Sequence, residues 1–172
     1  MRLARDQRGV AVVELAVIMP AFLLLLLGVM DFGKVFSYWQ SGTQAAATGA
    51  RAAAVDQWPA TCKAGDPPVT VTNCTLQQWV RSQLKTRELY DDAHVCVTFP
   101  DTATAPATNH SPGNRIQVKV QVPYGIPLVN ALAHGATVTL RGSATMRIEV
   151  DNSPPSGTAF PISSANNIGS CS

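Results

Sequence analysis

Arg8-Gly9-Val10-Ala11-Val12-Val13-Glu14-Leu15-Ala16 opens an apolar run that continues through Leu23-Leu24-Leu25-Leu26-Leu27 to Met30, and the fold turns on how this stretch is read. From Val10 to Met30 the only charge is Glu14. Roughly 20 apolar residues suffice to cross a hydrocarbon core about 30 Å thick, so the run predicts a transmembrane helix over 10–30. A charged group near the middle of such a helix costs about 2.5–3.5 kcal/mol and by default marks function. Glu14 is therefore the first candidate functional residue. The competing reading is a secretory signal that is later removed. It fits less well, because the run is long and no clear small-x-small cleavage site directly follows Met30.

Charge sets the expected orientation. Arg2, Arg5 and Arg8 precede the run and are opposed only by Asp6, while Asp31 and Lys34 nearly cancel on the other side. The excess of cations before the span predicts a cytoplasmic N-terminus and export of everything beyond about residue 32. Of the thirteen basic and eleven acidic residues, three arginines and one aspartate lie in 1–9, which leaves ten of each in 10–172. The formal charge of +2 is thus a property of the leader, and no surface for nucleic acid is indicated.

The helix is expected to outrun the bilayer. No proline occurs between Asp31 and Asp56, and Ala45-Ala46-Ala47 and Ala52-Ala53-Ala54 are strong helix formers. A helix from Val10 to about Val55 would be roughly 70 Å long, more than half of it outside the membrane. Phe32, Phe36, Tyr38 and Trp39 fall where the outer interface should lie, as in an aromatic belt. Pro20 lacks an N–H and crowds the carbonyl of Ala16, so a kink or local melting is expected there. Gly42, Ala46, Gly49 and Ala53 recur at spacings of four and three and share one face. Such a ridge fits close contact with another helix, or packing of the helix on its own globular domain.

The exported part reads as a small disulfide-bonded head. Cys62, Cys74, Cys96 and Cys171 all lie beyond the span, and an even count in an oxidising compartment predicts two disulfides. Zinc would require close cysteine pairs, and none is closer than 62 and 74. The turn formers between Asp56 and Thr75 indicate a loop with Cys62 and Cys74 near its ends. Thr75 or Asn73 can cap a helix from Leu76 to about Glu88. Period-two alternation then marks three strands: Val95, Val97 and Phe99; Ile116, Val118, Val120 and Val122; and Val138, Leu140, Ala144, Met146, Ile148 and Val150. Cys96 falls on the less buried face of the first of these, where a tail cysteine could reach it, so the preferred pairs are Cys62–Cys74 and Cys96–Cys171. A short helix is expected around Pro127 to Ala133, and an exposed loop from Pro100 to Gly113.

The expected fold class is α+β: a long N-terminal transmembrane helix followed by a small antiparallel three-stranded sheet with one or two short helices. The expected divisions are a basic leader at 1–9, the transmembrane part at 10–30, its continuation at 31–56, the head at 57–151, and a Ser/Pro/Asn-rich tail at 152–172. His94, His110 and His134 have neither metal-ligand spacing nor partners for a triad, and no phosphate loop is present. The chain is read as a non-enzyme without cofactor, metal or small-molecule substrate.

A resemblance sharpens this reading. Arg8-Gly9-Val10-Ala11-Val12-Val13-Glu14-Leu15-Ala16, Pro20, Gly28-Val29-Met30-Asp31-Phe32-Gly33 and Gly49-Ala50-Arg51-Ala52-Ala53 together resemble the TadE-like family, with a weaker echo at Ala144-Thr145-Met146-Arg147-Ile148-Glu149. Those proteins are minor pilins or pseudopilins of the tight-adherence (Tad, Flp-type) pilus system. The resemblance implies cleavage between Gly9 and Val10 by a prepilin peptidase, a membrane aspartyl protease. It also implies a place in the bacterial cytoplasmic membrane, surface adherence, and sister pilins, pseudopilins and the Tad machinery as partners. Leu15 stands where the major Flp pilins usually carry tyrosine, and Asp31 where many relatives carry glutamate. In this scheme Gly9 gives the peptidase close access to the scissile bond. The ammonium freed at Val10 then pairs with Glu14, offsetting the desolvation of both. An uncleaved single-pass anchor of the same system, and a secreted binding domain or enzyme, are the alternatives.

Overall fold

The computed structural model describes residues 8–64, 68–84, 86–101, 112–126, 137–150 and 167–169. Helix α1 covers Arg8–Ala54 without interruption, 47 residues, and passes through Pro20. The local melting expected at that proline is absent, since the helix continues on both sides of it. Its far end is closed by backbone geometry. Asp56 adopts a left-handed conformation with φ 52°, its N–H donates to the Ala53 carbonyl, and the Gln57 N–H reaches back to Ala52 at 3.0 Å. This pair of reversed bonds satisfies carbonyls that an α-helix leaves open at its C-terminus, with aspartate taking the place usually held by glycine.

Two antiparallel sheets follow. Strands β1 (Thr61–Ala64) and β2 (Val69–Thr72) form a two-stranded ribbon, in which Cys62 stands opposite Val71. The sequence reading made this region a loop. The Val-Thr-Val-Thr alternation of 69–72 was its strand signal, outweighed by the surrounding prolines and glycine. Cys62 is bonded to Cys74, with Cα atoms 5.8 Å apart, and this links the ribbon to the start of the next helix.

Helix α2 (Leu76–Ser82) begins at a capping box. Gln78 N–H donates to the Thr75 hydroxyl, and the Thr75 N–H donates to the Gln78 side chain at 3.0 Å. The single helix expected to run to about Glu88 is instead two, because α3 (Arg87–Asp92) starts afresh after Thr86. Leu84 turns into the core between them, and Arg81 clasps the pair by donating to the Tyr90 and Asp91 carbonyls while lying over the Tyr90 ring.

The main sheet is the expected three-stranded antiparallel one, in the order β3 (His94–Thr98), β4 (Arg115–Gly125), β5 (Thr137–Arg147). Register aligns Cys96 with Lys119 and Lys119 with Ser143. The third strand ends at Arg147 rather than Val150, and Ile148 closes it by exchanging backbone hydrogen bonds with Gly113 and Asn114. Ile116, Val118, Val120 and Val122 on β4 and Val95 and Val97 on β3 are fully buried beneath α1 and α2. Each such side chain contributes about 1.5–3 kcal/mol relative to exposure.

Cys96 is itself buried, at 1% exposure, while His94 and Thr98 on the same face are half-buried, so this is the less buried face of β3 as expected. Ile168 bridges antiparallel to Val95, and Asn167 accepts the Val97 N–H at 2.8 Å while Gln77 donates to it. The 167–169 segment thus covers β3. Cys96 is disulfide-bonded, whereas its expected partner Cys171, the helix around 127–133 and most of the 100–113 loop lie outside the described residues.

Contacts along α1 fix its direction relative to the sheet. Tyr38 packs edge-on against Tyr124 near the end of β4, Gly42 lies against Val120, Gly49 lies against Val118, and Ala54 accepts the Glu149 N–H. The helix therefore runs antiparallel to β4 and parallel to β5. One end of the head, marked by Tyr124, Gly125 and Thr137, faces back toward the apolar run. The other, marked by Arg115 and Arg147, is furthest from it.

Candidate functional site

The apolar part of α1 makes its side chains available to an environment other than its own domain. Val12, Leu15, Val17 and Ile18 are between 58% and 73% exposed, and Leu23, Leu24, Leu25 and Leu27 are at least half exposed. A row of bare leucines on a soluble surface would be an aggregation hazard; in a bilayer the same row is the solvated state. Leucine contributes about −0.3 to −0.6 kcal/mol per residue at a helix centre, so the five leucines of 23–27 together offset most of one buried charge. Glu14 thus leaves insertion feasible while remaining locally unfavourable.

Helical geometry places the candidate residues relative to one another. Gly9 and Val10 lie in the first turns of α1, and Glu14 stands four residues beyond Val10. Residues four apart share a face and are separated by roughly 6 Å along the axis. Glu14 is exposed, with Val13 and Leu15 beside it exposed as well. Among the described residues, no group of His, Cys, Asp or Glu is arranged to hold a metal ion.

The small-residue ridge is resolved in favour of the protein's own head. Ala46 and Ala53 are fully buried there. A methyl group built on Gly142 would stand 2.7 Å from backbone atoms of Gly42 and Thr43, so α1 and β5 touch backbone to backbone. A methyl on Gly49 would meet the Val80 side chain at 2.4 Å. Gly28 and Gly33, by contrast, have open space around them. The aromatic group divides in the same way: Phe32, Phe36 and Trp39 are 47% to 71% exposed, while Tyr38 turns in to meet Tyr124.

The family comparison coincides with this helix. Residues 9–51 match the family model for TadE-like protein. Helix α1 is thus similar to that family over about a quarter of the chain. The match begins at Gly9 and ends within α1, so the weaker echo seen at Ala144–Glu149 lies outside it. No curated protein and no solved structure matches the chain. TadE-like proteins are structural components connected with the Tad (Flp-type) pilus, not an enzyme family, and the similarity of this one helix suggests involvement in that system. Among the described residues one helix, near the N-terminus, is long and apolar enough to cross a membrane, which is consistent with a single-pass anchor.

Proposed function

We propose that this chain is a minor pilin or pseudopilin of a Tad pilus, inserted with its N-terminus inside, cleaved after Gly9 by a prepilin peptidase, and joined to sister pilins in an assembly used for surface adherence. The observation that carries the reading is the exposed carboxylate of Glu14 on the face shared with Val10, at the start of a helix whose match to the TadE-like model begins at Gly9. Cleavage creates an ammonium at Val10 in a poorly solvating medium. A carboxylate about one turn away, in the same or a neighbouring subunit, offsets the cost of both charges and sets axial register. In this reading 1–9 is a removable leader, 10–30 the spanning part, 31–56 a rigid stalk, and 57–151 with the tail 152–172 the exported head.

N-terminal sequencing of the membrane-purified protein tests the reading. Val10 is the expected first residue. Gly9→Ala is expected to block most processing, and Glu14→Ala to leave processing largely intact while impairing pilus formation. Normal cleavage of the first variant counts against the peptidase assignment, and normal piliation of the second against the assembly role. A mature chain that retains its leader supports the uncleaved anchor instead, which the exposed apolar half of α1 would serve equally well.

A further inference from the structure

The end of the head that faces the apolar run carries a cleft that the pilin reading leaves unused. It has a volume of about 240 Å³ and lies between α1, α3 and the end of β4, with Lys34, Tyr38, Asp92 and Tyr124 in its wall. That is smaller than the roughly 300–1,000 Å³ of sites for drug-sized ligands and suits a compact polar group. Among the described residues neither Lys34 nor Asp92 makes an ion pair, although they carry opposite charges in one cleft.

Position along α1 indicates what reaches the mouth. The apolar run ends at Met30, and Lys34 and Tyr38 stand roughly 6 and 12 Å further along the axis. A bilayer about 40–45 Å thick overall, around a core of about 30 Å, has headgroup layers of roughly 5–8 Å. Lys34 therefore falls within the headgroup layer and Tyr38 just beyond it. Val138, 43% exposed and opposite Tyr124 on β5, adds an apolar rim at the same end.

We infer that this cleft binds the headgroup of a phospholipid that carries both a phosphate and a primary ammonium. The inference rests on the membrane-spanning reading of α1. Lys34 supplies a cation for the phosphate, and Asp92 a carboxylate that accepts hydrogen bonds from the ammonium. The tyrosine rings form a wall of the amphipathic kind favoured at a membrane surface. A quaternary ammonium would instead call for an open aromatic face. Here the two rings meet edge to face at 5.3 Å and 86°, so one ring covers the face of the other.

The test uses the full chain in nanodiscs of equal palmitoyl-oleoyl phosphatidylethanolamine and phosphatidylcholine, with retained lipid counted by native mass spectrometry. The expected result is an enrichment of the ethanolamine lipid of about two- to fivefold, the scale of one exposed ion pair. Asp92→Asn should bring that ratio to unity, and Lys34→Ala should lower retention of both lipids. Equal retention by the unaltered chain, or enrichment that neither variant changes, overturns the proposal. Loss of the enrichment on adding inorganic phosphate assigns the cleft to a free anion and overturns it as well. Alkaline carbonate extraction of the same protein from membranes separates the two levels: release of the chain defeats the spanning reading itself, whereas retention without enrichment defeats only the headgroup site.

Discussion

Two stretches of one helix behave as though they belonged to different proteins. Residues 11–30 of α1 are leucine- and valine-rich and touch nothing in the head, whereas residues 42–54 are glycine- and alanine-rich and contain a fully buried row. Backbone hydrogen bonding is the same in both. What differs is the surface each offers to its surroundings. Large apolar side chains suit a fluid hydrocarbon solvent that needs no shape match, while small ones let a sheet come within backbone contact. Local side-chain size therefore decides where the helix stops standing clear of the head and becomes part of its core.

The sharpest way to separate the halves is to charge the first. Leu23→Arg places a cation within the apolar run, at about 2.5–3.5 kcal/mol in insertion free energy. Membrane retention should fall clearly, while the unfolding midpoint of the head, measured by Trp58 and Trp79 fluorescence in detergent, should stay the same. A shift in that midpoint would show that the apolar half contributes to head stability after all.

The reciprocal change acts on the second half. Gly142→Ala puts a methyl 2.7 Å from the α1 backbone, where no rotamer change can relieve it. Overpacking of this kind costs about 1–3 kcal/mol, so the denaturant midpoint should drop with little effect on membrane retention. Gly33→Ala, which meets nothing within 4 Å, is the matched control and should leave the head unaffected. Equal effects from the two substitutions would dissolve the distinction between the regions.

The first half was the more legible in the sequence. An apolar run, a single acid and a basic leader are one-dimensional signals, and the helix needs no partner to explain them. The main sheet was readable for a related reason, since period-two alternation in 116–122 survives whatever packs above it. The less legible features lie where distant segments decide the outcome. Nothing near Cys96 announces that Asn167 and Ile168 will cover its strand. The break between α2 and α3 is accompanied by Arg81 reaching the carbonyls of Tyr90 and Asp91, a tertiary contact that helix propensity does not encode. The small-residue ridge was visible, but its partner was not: Gly142 reads as an ordinary strand residue until α1 is laid across it.

A subtler contrast separates the two ends of the head. Among the described residues Lys34 and Asp92 share the cleft at the end facing the apolar run without pairing, while Arg115 and Asp101 at the far end form a two-pronged pair. The need for that pairing comes from register, because Arg115 stands directly opposite Arg147 and like charges across a strand pair repel. Hydrogen bonds from the Arg115 guanidinium and backbone N–H hold the Asp101 carboxyl below the usual carboxylate range, and the same contact raises Arg115. A lowered carboxylate pKa adds stability that is present above the unfolded-state value, about 3.9, and is lost as pH falls through the folded one. The Arg115 contribution disappears only at strongly alkaline pH. Both groups are exposed to solvent, so the effect should be small and weakened by salt. Unfolding midpoints of the unaltered chain and of Asp101→Asn should therefore differ near neutrality and converge as pH drops below about 4. A gap that persists unchanged into strong acid would mean that Asp101 acts through shape rather than charge, and that the far end of the head needs no ionic clasp to hold its two arginines together.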